Sequence, residues 1–99
     1  MRLTEHELET IRQFFRTKPV RQAWLFGSYA RGEADEESDV DLLVNVDPAT
    51  MVGWDFFVWH EDLAELLHKK VDVVSPRSKP TRFQLEIQPD LQLIYERAA

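Results

Sequence analysis

Apolar residues recur along this chain in two rhythms, one near 3.6 residues and one of 2. Leu8, Ile11 and Phe15 repeat at helical spacing. Ahead of them Thr4 and Glu7 stand as a capping box, with Leu3 and Leu8 placed as a hydrophobic staple. These signals predict a helix from Thr4 to about Thr17, stopped by Lys18-Pro19. Ala23-Trp24-Leu25-Phe26 reads as a short buried strand, broken by Gly27-Ser28. Ser28 can open a short helix through Arg31, with Gly32 at its end. Glu33 to Ser38 is polar and loop-like. From Asp39 to Val46 the period becomes 2: Val40, Leu42, Val44 and Val46 face one way, and Asp39, Asp41, Leu43 and Asn45 the other.

Val52 to Leu67 returns to the helical period, with Val52, Phe56, Trp59, Leu63, Leu66 and Leu67 on one face. His68 falls in the turn that follows, where a residue tolerant of positive φ is needed. Val71 to Val74 is the next strand, and Ser75 to Thr81, with two prolines, a connection. Arg82 to Ile87 predicts a short helix before Pro89, and Leu91 to Tyr95 a last strand. The order is α-β-α-β-α-β followed by a short helix and a strand. It predicts an α/β (α+β) fold, a small mixed β-sheet with helices packed on one face.

Composition narrows the class. Ninety-nine residues with 43% hydrophobic and 30% charged positions predict a single globular domain, residues 1–99, with a small core. No apolar run is long enough to span a membrane, and the mixed charge of Met1 to Phe15 does not resemble a secretory signal. The absence of cysteine excludes disulfides, thiol catalysis and cysteine-ligated zinc, and cytoplasmic residence is expected.

The net charge of −6 is unevenly spread. Eleven of the eighteen acids lie between Gly32 and His68, a stretch with no Lys or Arg, and six basic residues lie on each side of it. An acidic chain disfavours nucleic-acid binding, which is driven by phosphate neutralisation. Carboxylates in the middle with basic flanks suit a site where cations and an anion meet, although a solvated acidic loop has the same pattern.

Three features carry candidate chemistry. Asp39 and Asp41 lie two apart on a strand, so their carboxylates project from one face about 6–7 Å apart along the backbone. Such a pair resists ionisation without a cation between its members, and its hard oxygens suit Mg²⁺ with substrate phosphates. An Asp-x-Asp alone is equally an ordinary wet strand end. Gly27-Ser28 sits at a strand-to-helix junction, where free N–H groups can meet a phosphate. Asp72 lies among Val71, Val73 and Val74, an unusual place for an acid unless it reaches a functional face.

Gly27-Ser28, ten residues, Asp39-Val40-Asp41 and then a lone strand Asp72 resemble the signature of the polymerase-beta-like nucleotidyltransferase superfamily. The string GSYARGEADEESDVDLLV with KKVDVVSP downstream is similar to its minimal nucleotidyltransferase branch, over roughly Leu25 to Tyr95. His68 departs from the glycine frequent before the third-Asp strand, and the loop Glu33 to Glu37 is unusually acidic. The resemblance implies a polymerase beta-like core in which Asp39, Asp41 and Asp72 are the catalytic and metal-binding residues for two Mg²⁺ ions. It implies that Gly27 and Ser28 hold the β,γ-phosphates of ATP. Arg31 is the candidate to neutralise the triphosphate, or else pairs with the acidic loop; Lys69, Lys70 and Arg77 are weaker phosphate candidates.

The same resemblance implies a partner, a HEPN-domain toxin, with this chain as its antitoxin transferring AMP to a hydroxyl of the toxin. A non-catalytic binding module that inhibits by occupancy is the alternative. A chain this short leaves the acceptor side of the pocket to another molecule. Trp54, Phe57 and Val58 lie off the core face of their helix and form a candidate contact surface. His6, His60 and His68 share no metal-ligand spacing and read as surface or helix-end residues.

Overall fold

The computed structural model describes residues 1–47, 53–76 and 79–97, of which 53–55 are described in backbone only. The first helix, α1 (Glu5–Arg16), opens as the capping box requires. Glu7 N–H donates to Thr4 Oγ1 at 3.0 Å, and Thr4 N–H donates back to Glu7 Oε1 at 2.9 Å. Its inward residues Ile11 and Phe15 are fully buried.

The chain then forms β1 (Val20–Phe26), the single turn α2 (Ser28–Arg31), β2 (Val40–Val46), α3 (Gly53–Leu67), β3 (Val71–Val74), α4 (Thr81–Ile87) and β4 (Gln92–Glu96). The sheet runs β3-β2-β1-β4, with β2 and β3 parallel and the other two pairs antiparallel. A mixed sheet with the predicted element order is therefore observed.

Strand β1 begins three residues earlier than its apolar run. Arg21 and Gln22 hide the start from a hydrophobicity reading, but Val20 is fully buried and pairs with Val46 across a register shift. Asp39, expected as the first residue of its strand, sits just before β2 and is exposed.

One sheet face carries the main core. Ile11 and Phe15 of α1, Trp59, Leu63 and Leu67 of α3 and Tyr29 of α2 pack on Ala23, Leu25, Val40, Leu42, Val44, Val71 and Val73. Phe15 meets Trp59 edge-on, with ring centroids 6.3 Å apart. Lys69, after α3, reaches back to Glu7 of α1 at 2.6 Å, which makes it a brace between elements. Leu66, expected on the core face, is half exposed and lines a shallow groove with Phe14. Val52 lies outside the described residues.

The second face is partly covered by α4. Phe26, Leu43 and Val74 are buried there with Ile87, and Phe83 packs edge-on against Phe26 at 5.9 Å. Leu43, expected to point outward beside the aspartates, is buried for this reason. His68 adopts φ 55°, the left-handed conformation expected of the turn.

Candidate active site

Strand pairing decides where the acids meet. In the parallel β2–β3 pair, Asp41 is the register partner of Asp72, and Phe26 is the partner of Asp41 on the other side. Facing residues on neighbouring strands lie about 4.8 Å apart in backbone. Two carboxylates therefore share one spot on the face opposite α1 and α3. Phe26, Leu43 and Val74 form an apolar floor next to them on the same face. A groove of about 270 Å³ lies between Leu43 and α4, lined by Thr81, Gln84, Leu85, Gln88 and Leu91.

The crowding shows in the ionisation of Asp41. Burial first, then the Asp72 carboxylate, then that of Asp39, push its carboxyl from 3.8 up to about 6, while Arg31 opposes the rise. Both other predicted acids thus act electrostatically on Asp41. No three His, Asp or Glu side chains among the described residues enclose a cation by themselves. The donor set still fits Mg²⁺, which uses one or two carboxylates and completes its shell with water and substrate phosphates.

Gly27 follows β1 directly and takes φ 74°, ψ −156°, a backbone region essentially confined to glycine. The turn presses the backbone onto the acids: a Cβ at this position would overlap Asp41 Oδ2. Gly27-Ser28 and Asp41 are thereby brought together. Gly32 closes α2 in the left-handed conformation, and its N–H donates to Tyr29 O at 3.4 Å.

Arg31 lies at the rim with two partners. Its Nη1 meets Asp90 Oδ2 at 2.6 Å and its Nε meets Glu33 Oε2 at 3.0 Å. The pairing with the acidic loop is therefore observed, and a second acid is added from the 3₁₀ turn Gln88–Asp90. Asp90 had no signal in the sequence, since only the fold brings it 59 residues back to Arg31. Lys69 is occupied by Glu7, and Arg77 lies outside the described residues.

His60 is not the surface residue it was expected to be. It is half-buried on α3, with Nε2 at 2.9 Å from Val73 O, 3.0 Å from Val73 N and 3.7 Å from Asp72 Oδ1. The one hint was its spacing: four residues after Phe56 and three before Leu63, it borders the buried stripe. Phe57 and Val58 are exposed, at 55% and 47%, and the side chain of Trp54 lies outside the described residues. No helix among the described residues is long and apolar enough to cross a membrane.

Known proteins resemble this chain in sequence and in fold. Protein adenylyltransferase MntA of Thermococcus cleftensis is 41% identical over 76 residues, covering 77% of this chain and 72% of the relative. A toxin–antitoxin crystal structure with AMP-PNP superposes with a TM-score of 0.80 at 24% identity, over 91% of this chain and 73% of that one. A complex of tri-AMPylated Shewanella oneidensis HEPN toxin with MNT antitoxin matches with a TM-score of 0.76 at 21% identity, over 96% and 74%. At these identities the two structures establish the fold. The family model for polymerase beta nucleotidyltransferases matches residues 9–99. With that match spanning nearly the whole sequence, the chain belongs to the polymerase beta nucleotidyltransferase family.

Proposed function

We propose that this chain transfers AMP from ATP to a hydroxyl group on a partner protein, a HEPN-domain toxin, and so acts as its antitoxin. The observation that carries the reading is the Asp41–Asp72 register pair with the Gly27 turn pressed against it. Support for the substrate and partner comes from the relatives, one named a protein adenylyltransferase and one a HEPN toxin complex carrying AMP.

In this reading Asp39 and Asp41 hold Mg²⁺ together with the nucleotide, and Asp72 holds the acceptor side. Mg²⁺, two ions when bound, supplies charge neutralisation at the attacking and leaving oxygens. Gly27 and Ser28 leave room for the β,γ-phosphates and offer backbone N–H groups to them. Arg31 exchanges part of its pairing with Glu33 and Asp90 for the triphosphate. The acceptor hydroxyl gives its proton to the Asp72 carboxylate, its oxygen bonds to the α-phosphorus, and the bond to the β-phosphate oxygen breaks. Pyrophosphate leaves. Phe57 and Val58, exposed on α3, supply part of the partner contact. ATP as donor fits a cytoplasmic reaction.

The test is the intact mass of the partner after incubation with this chain, ATP and Mg²⁺. Mass increments of AMP on the partner are expected. An unmodified partner that is nevertheless inhibited at equimolar ratio would establish inhibition by occupancy instead.

A further inference from the structure

His60 ties α3 to the free edge of the sheet at the point where the third carboxylate is mounted. β3 is an outer strand: among the described residues it pairs with β2 alone, so one side of its backbone has no strand partner there. His60 Nε2 meets that side at Val73, 2.9 Å from the carbonyl oxygen and 3.0 Å from the amide nitrogen. One ring nitrogen serves one of these groups at a time, according to the tautomer. Asp72 Oδ1, 3.7 Å away, is a second oxygen on the same side and favours the tautomer with hydrogen on Nε2. In that tautomer the hydrogen faces the Val73 carbonyl, with the Asp72 carboxylate nearby; in the other, Nε2 accepts from the Val73 N–H.

We infer that His60 is a positioning residue for Asp72: its Nε2–H fixes the β3 edge and the orientation of the Asp72 carboxylate toward the reacting hydroxyl. The inference rests on the role assigned to Asp72 above. Side chains that orient a catalytic carboxylate without touching substrate act on the aligned, reacting state more than on nucleotide affinity. Closing a sheet edge is the competing role for the same contacts, and it makes different demands. It requires only a shape and a backbone hydrogen bond, and is indifferent to the charge of Asp72.

The experiment uses the full chain with its partner protein. His60→Phe keeps a ring and removes the nitrogen; His60→Gln returns an amide nitrogen near the position of Nε2; His60→Asn stops short of it. His60→Phe is expected to lower kcat of AMP transfer by about 10–100-fold with KM for MgATP changed by less than about 3-fold. His60→Gln should recover most of the loss and His60→Asn should not. A second reading needs neither metal nor nucleotide: the His60 Nε2 ¹⁵N resonance should move when Asp72 is changed to Asn. If position 60 does not accept Phe without unfolding, the Gln and Asn variants and the resonance carry the comparison. Equal rates for Gln and Asn, wild-type transfer by His60→Phe in a folded protein, or a His60 resonance blind to Asp72→Asn would each overturn the inference. Full transfer by Asp72→Asn would overturn the role of Asp72 itself. A slow Asp72→Asn beside a wild-type-like His60→Phe would overturn only the role of His60.

Discussion

Gly27 lies so close to Asp41 that a methyl group at position 27 would occupy the space of the carboxylate oxygen. The pair explains why a glycine stands between β1 and α2. Position 27 needs a conformation that other residues adopt only under strain, of order 1–3 kcal/mol, and it needs the volume left empty. Gly27→Ala should therefore lower the melting temperature by several degrees and push Asp41 out of place. The MgATP-induced rise in melting temperature should vanish with it. An alanine variant that melts and binds MgATP like the parent would show that the turn does not shape the site.

The raised carboxyl of Asp41 gives a pH signature. Its folded value, about 6, lies above the ordinary 3.8. The native state therefore holds a proton that the unfolded chain has already released, and this group makes stability fall as pH rises from about 4 through about 6. A shift of about two units corresponds to about 3 kcal/mol in full burial, and solvent screening of this half-exposed group leaves about 1 kcal/mol. Glu7 works in the opposite direction. Its burial is outweighed by Lys69 and the Thr4 cap, its carboxyl is lowered, and its contribution is lost at acid pH. The difference between wild type and Asp41→Asn isolates the first effect. Without metal or nucleotide, the Asn variant should melt several degrees higher at pH 7.5 and no higher at pH 4. Arg31→Gln should move the transition upward in pH, because Arg31 is the group that holds the Asp41 carboxyl down.

The two rhythms of the chain were enough to place α1, β2 and α3, because each carries a regularly spaced apolar face, while continuous apolar runs and turn residues marked the other elements. The aspartates were legible for a different reason. Spacing put Asp39 near Asp41, but only strand order puts Asp72 beside them, and that order follows from the resemblance rather than from hydrophobicity. What stayed hidden depends on contacts between distant residues. Leu43 looked like an outward residue until α4 covered it, and Arg31, expected at a triphosphate or the acidic loop, gained Asp90 as a partner only through the fold. His60 was illegible because a single polar residue beside an apolar stripe has the same pattern whether it meets solvent or a strand edge.

Asp39→Asn with Asp41→Asn tests nucleotide binding. A ligand that binds only the native state raises stability by mass action, about 2.7 kcal/mol at a hundred times Kd. Wild type should melt several degrees higher with MgATP. The double variant should show no such rise while melting at least as high as wild type in its absence, since two repelling charges are gone. A double variant that is stabilised as much as wild type would place the nucleotide elsewhere.

Phe57 and Val58 test the partner surface. Both are exposed, so replacing them with serine should change the melting temperature little. If the partner covers them, the double variant should bind it about 10-fold or more weakly, since buried aromatic and aliphatic anchors are each worth about 1 kcal/mol or more at interfaces. Unchanged affinity by titration calorimetry would move the contact surface to another face.

Asp72→Asn separates binding from chemistry. Nucleotide held by Gly27, Ser28, Asp39 and Asp41 does not need the third carboxylate. The acceptor hydroxyl does, because an alcohol or phenol is a weak nucleophile until a base takes its proton. Asparagine keeps the size and hydrogen-bonding shape of the side chain and removes the charge that accepts that proton. General-base assistance is worth about 10²–10⁴ in rate. The variant should bind MgATP within a few-fold of wild type and still bind its partner, yet transfer AMP at least about a hundred-fold more slowly. It should also fail to silence a toxic partner in cells, where a protein acting by occupancy alone would still succeed. Single-turnover transfer with preformed enzyme–MgATP complex measures the chemical step directly, and a wild-type rate there would leave Asp72 as a strand residue with no part in the reaction.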